Sequence, residues 1–131
     1  MSEGGYKIRN KEAAHFITFA VVEWVDVFTR KDYRDILLDS IRHCQKEKGL
    51  LLHAWCIMSN HVHLIASASN NNFSDILRDF KKFTSKQIIT AIKNNEKESR
   101  REWMLEIFKK AGEVNSRNSE FQFWRQSLSR T

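Results

Sequence analysis

Cys56-Ile57-Met58-Ser59-Asn60-His61-Val62-His63-Leu64-Ile65-Ala66 decides how this chain folds. Two extended apolar runs, Leu50 to Met58 and His61 to Ala66, flank the short polar pair Ser59-Asn60, as in two strands joined by a two-residue hairpin turn. That turn pairs Met58 with His61 and Cys56 with His63. Side chains alternate across a strand with period two, so Ala54, Cys56, His61 and His63 share one face. Trp55, Ile57, Val62 and Leu64 share the other, bulkier face, which is expected to meet helices. Two imidazoles at this spacing can chelate one divalent metal through a ring nitrogen each, with Val62 anchoring the strand between them. The tripeptide alone fits two partly exposed histidines without a ligand better than a metal site.

Upstream, His15 to Val25 (HFITFAVVEWV) is rich in β-branched and aromatic residues and reads as a strand. Thr29 is placed to cap a helix with Asp32 at its third position. Tyr33, Ile36, Leu37, Ile41 and Cys44 then recur at helical spacing, and Gly49 stands where a C-terminal cap belongs. Downstream, Ser67–Asn72 reads as a loop, with Asn72 or Ser74 as the cap of a second helix. The buried stripe of that helix is Phe73, Ile76, Leu77, Phe80, Thr84, Ile88 and Ala91. A charged break over residues 94–102 precedes a short helix around Trp103–Lys110, with Trp103, Ile107 and Phe108 inward. A polar segment and the aromatic run Phe121-Gln122-Phe123-Trp124 follow. Strand–helix–strand–strand–helix is an α+β order, most of a ferredoxin-like split β-α-β plan. It implies an antiparallel sheet with two helices on one face and the other face open to a ligand. The fourth strand has to come from the C-terminal segment. Residues 1–13 read as a flexible arm and 14–131 as a single domain.

Composition narrows the function classes. The 131 residues carry 22 Lys and Arg against 16 Asp and Glu, a surplus of six that suits a polyanionic partner. At 41% hydrophobic and 29% charged the chain reads as globular, and no apolar run approaches the ~18 residues of a membrane span. The N-terminus lacks the form of a signal peptide. With no sign of export, the expected location is the cytoplasm, and Cys44 and Cys56 are expected reduced, as small core or near-core residues. Neither belongs to a Cys-x-x-Cys pair.

The octet Met58-Ser59-Asn60-His61-Val62-His63-Leu64-Ile65 closely resembles the signature of HUH-type single-tyrosine transposases, the insertion-sequence-200-like superfamily that includes the REP-associated tyrosine transposases. Tyr33–Leu38 resembles that family's first helix. Phe73–Lys86, with Lys82-Phe83-Thr84-Ser85, resembles its second. Phe121–Gln126 resembles the stretch leading into its fourth strand. The likeness spans about residues 13–126. It implies cleavage and rejoining of single-stranded or hairpin DNA on a ferredoxin-like sheet, with His61 and His63 holding Mg²⁺ or Mn²⁺ that polarises the scissile phosphate. Imidazole suits zinc or manganese better than magnesium. A tyrosine hydroxyl then forms a phosphotyrosine intermediate. Arg78, Lys82 and Lys86 recur every four residues with Lys81 alongside, a basic stripe suited to a DNA backbone. Phe123 and Trp124 are candidates for stacking on bases, with core packing as the alternative. A homodimer is also compatible with the family.

The chain departs from the family after about Ser127. Its two tyrosines, Tyr6 and Tyr33, match no nucleophile position, and the trailing helix that carries the nucleophile and a third metal ligand has no counterpart. The expectation is therefore a C-terminally truncated homologue that binds DNA with an incomplete metal site and little or no strand transfer. One rival is a single-stranded nucleic-acid-binding module without metal chemistry. Another is a histidine-triad hydrolase, which needs a third alternating histidine where Ile65 stands.

Overall fold

The computed structural model describes residues 13–115 and 121–126. The N-terminal arm with Tyr6, the segment 116–120 and the point of departure after Ser127 lie outside the described residues. The elements are β1 (His15–Ala20), α1 (Lys31–Glu47), β2 (Leu50–Ile57), β3 (His61–Ala68), α2 (Phe73–Asn94) and α3 (Arg101–Asn115). Two 3-10 turns, Val22–Trp24 and Val27–Thr29, lie between β1 and α1. The sheet is antiparallel in the order β1-β3-β2. With helices after β1 and β3, that is the split β-α-β arrangement. Where the fourth strand was expected, the described residues show an isolated bridge, Trp124 against Val21, reinforced where the Arg125 amide donates to the Ala20 carbonyl over 2.8 Å.

The hairpin register matches the two-residue turn: Cys56 lies opposite His63, Ile57 opposite Val62, and the Met58 amide donates to the His61 carbonyl. Alternation then does the sorting. Phe19, Val62, Leu64 and Ala66 are buried beneath the helices, where Phe19 meets Phe80 at 5.5 Å between ring centroids. Tyr33, Leu37, Ile41 and Cys44 of α1, and Ile76, Phe80, Ile88 and Ile92 of α2, complete the core. Phe123 and Trp124 are buried too, and the Trp124 indole N–H donates to Thr84 Oγ1 over 3.0 Å, so these rings are core and not base-stacking surface.

Several expectations are corrected. β1 ends at Ala20 rather than Val25, because the chain turns at Val22–Trp24. Thr29 does not cap α1: Arg30 occupies the cap without a side-chain bond, and the Thr29 hydroxyl donates to the Asp26 carbonyl. β3 runs on to Ala68, so Ser67 is a buried strand residue. Trp55 shares a face with Leu64 but is 52% exposed, because β2 is the sheet edge. Cys56 is exposed on the histidine face while Cys44 is buried. Trp103 points outward, and the inward register of α3 is Met104 and Phe108.

Candidate metal centre and nucleic-acid interface

His61 and His63 project from the sheet face opposite the helices, across from Ala20 and Thr18 on β1. Their Nε2 atoms stand 3.1 Å apart. Two nitrogen ligands about 2.1 Å from one ion and at right angles to each other are about 3.0 Å apart, so the pair has the bite of a chelate. The other ring nitrogens are held from behind. Asn60 donates through Nδ2 to the Trp24 carbonyl, so its Oδ1 faces His61 Nδ1 at 2.8 Å and accepts that N–H. His61 Nε2 is then the bare, ligand-ready nitrogen. His63 Nδ1 lies 3.0 Å from Thr18 Oγ1, a hydroxyl able to donate or accept. Partners of this kind orient metal-binding imidazoles. Two neutral rings can share the Nε2 contact only if one nitrogen carries a proton, and a cation takes that proton's place. Burial, and secondarily the neighbouring His63, holds the His61 pKa below the ordinary histidine value, which favours the neutral ligand form.

The pair therefore fits a divalent ion on its two nitrogens. Among the described residues no group of three or more His, Cys, Asp and Glu side chains converges as a metal site. Cys56, though opposite His63, turns its thiol along its own strand to within 3.5 Å of the Met58 sulfur.

Aromatic rings bracket the imidazoles. Phe16, 55% exposed, stacks on His63 at 5.6 Å between centroids and 13° between planes. Trp24, 50% exposed, meets His61 edge-on at 6.2 Å, and the Arg125 guanidinium lies 5.0 Å from the Trp24 ring. A strand reading that ran through Val25 hid Trp24. Period-two alternation from Thr18 would have marked Phe16 as a neighbour of the histidines.

The four basic residues of α2 differ in their surroundings. Arg78 is paired with Asp75 and Asp79. Lys81 is partly buried, its ammonium 5.8 Å from the Phe19 ring, and burial lowers its pKa. Lys82 and Lys86 line a groove of about 670 Å³ between α1 and α2, beside Phe83 and His43. This groove belongs to the helix layer, so the structure does not bring the stripe to the histidines. Tyr33 is fully buried, its hydroxyl donating to Glu98 over 3.0 Å and accepting from Asn95 over 3.1 Å. It does not reach the imidazole face.

The family model described as "Transposase IS200 like" matches residues 11–126, nearly the whole described chain. The chain belongs to the IS200-like transposase family. A solved structure of a candidate transposase from Deinococcus radiodurans R1 shares the fold, with a TM-score of 0.52 and 24% identity over 70% of this chain and 68% of that one. No curated protein matches the chain significantly. Among the described residues of this transposase-family chain, no helix is long and apolar enough to cross a membrane.

Proposed function

We propose that this transposase-family protein binds single-stranded or hairpin DNA on its open sheet face, with a divalent cation held by His61 and His63. The observation that carries the reading is the pair of Nε2 atoms 3.1 Å apart, with both Nδ1 atoms hydrogen-bonded from behind. A bound Mn²⁺ or Mg²⁺ supplies Lewis-acid polarisation of a phosphate oxygen. The protein's own part is to present two neutral nitrogens on a rigid strand, with Asn60 and Thr18 holding the rings. Lys82 and Lys86 are a second contact for the DNA backbone on the helix layer, and Arg78 and Lys81 contribute less because they are already engaged. Tyr33 is buried away from the imidazole face, so this reading gives it no nucleophilic role and keeps little or no strand transfer for the chain.

The test combines Mn²⁺ titration, followed by electron paramagnetic resonance, with anisotropy of a labelled hairpin-flanked single strand. We expect His63→Ala to abolish Mn²⁺ binding and to weaken DNA binding only when the metal is present. DNA binding indifferent to chelator and to His63→Ala would instead favour a stacking module without metal chemistry. A covalent protein–DNA adduct on a denaturing gel would overturn the absence of strand cleavage.

A further inference from the structure

Glu23 and Trp24 both adopt left-handed backbone, at φ 56° and 54°. Neither is glycine, and for a residue as bulky as tryptophan this conformation is an outlier that costs free energy. Strain of this kind persists only where the surroundings impose it, and it concentrates at sites of function. Here the surroundings are specific. The Trp24 amide donates to the Val21 carbonyl over 2.9 Å, and its carbonyl accepts from Asn60, the residue that also holds His61. The result is a half-exposed indole fixed at the edge of one imidazole while half-exposed Phe16 stacks on the other. Burying these rings in the core would have been the ordinary outcome for such residues.

We infer that Trp24 and Phe16 are two base-stacking platforms, one on each side of the imidazole pair, that seat the unpaired bases flanking a phosphate placed at His61 and His63. This rests on the DNA reading above and adds the residues that position the strand. The occupant is single-stranded DNA because the site combines what such a strand presents. Flat apolar faces take bases of any sequence. The Arg125 guanidinium beside Trp24 supplies positive charge for the backbone, within a chain of net charge +6. A duplex keeps its bases stacked inside and has no ring to offer either platform. Sequence tolerance follows, with purines held more tightly than pyrimidines.

The experiment uses the full chain and labelled hexadeoxynucleotides, with and without single abasic positions, read by fluorescence anisotropy with chelator and with Mn²⁺. Trp24→Leu and Phe16→Leu are each expected to weaken binding about ten-fold, whereas Trp24→Phe retains most of it. All three variants should melt normally, since the rings are exposed. In the double-mutant cycle, an abasic position that costs the unaltered chain ten-fold should cost the matching leucine variant almost nothing more. Binding unchanged in both leucine variants, or equal abasic losses with and without the ring, overturns the platforms alone. So does a change in monomer–dimer equilibrium with DNA affinity intact, which would make the rings a contact between copies. No binding by the unaltered chain overturns the DNA reading and the platforms together.

Discussion

At the scale of single residues, the site depends on groups that are not ligands. Thr18 reaches His63 from the neighbouring strand, 45 positions away in sequence. Removing its hydroxyl leaves Nδ1 unpartnered and lets the ring rotate. We expect Thr18→Val to lower Mn²⁺ affinity by 10–100-fold, in the usual range for such supporting bonds, while Thr18→Ser retains it; titration followed by electron paramagnetic resonance is the measurement. The two histidines themselves were legible, because period-two alternation places them on one face whatever the rest of the chain does. Thr18 was not, since its role depends on which strand lies beside β3. The pairing of β1 with β3 is a long-range event that local pattern does not encode.

At the scale of elements, the caps and faces show where local chemistry rules and where packing overrides it. Gly49 follows α1 at φ 81°, the left-handed position that closes a helix, and a Cβ there would stand 2.6 Å from Ser69 Oγ. Gly49→Ala is expected to cost about 2 kcal/mol from the backbone term and the contact, measured by urea denaturation. This cap was readable because glycine's conformational freedom is a property of the residue itself. The register of α3 was not. Trp103 and Met104 are both apolar neighbours, and only the α2 surface and the turn at Val22–Trp24 that α3 packs against select Met104 and Phe108 as the buried pair. β1 likewise stops five residues short of its apolar run, because Val22 and Val25 find burial through the turn instead of through sheet pairing.

The whole molecule is tied together by a charge the sequence disguised. Glu98 lies in what reads as a solvated break, yet it is buried and receives Arg30 at 2.7 Å, Arg100 at 2.9 Å and the Tyr33 hydroxyl at 3.0 Å. The start of α1 is thereby clamped to the α2–α3 connection. Burial alone would raise the Glu98 pKa, but the hydrogen bonds from Arg100 and Tyr33 and the Arg100 charge outweigh it and bring it from 4.5 to about 2. A depressed folded-state pKa contributes stability that is complete above the unfolded value and lost as pH falls towards the folded one. The melting temperature should therefore drop between about pH 4.5 and pH 2 from this group. Glu98→Gln should cost about 2–3 kcal/mol at pH 7, since the guanidiniums lose their partner but keep some solvent. The gap between variant and unaltered chain in thermal melts should narrow below pH 4 as the native carboxyl protonates.

The hairpin register, the stripes of α1 and α2, the histidine face and the family signature followed from sequence alone, because alternation, helical spacing and glycine's backbone freedom act within a few residues of chain. The tertiary structure alone decided which aromatics are buried, which lysines are engaged and which carboxylate is shielded. Phe123 and Trp124 fill the core while Phe16 and Trp24 stay exposed, although all four are the same kind of residue. That choice depends on which surfaces distant segments bring together, and strain at Trp24 is sustained only by contacts made across the folded chain.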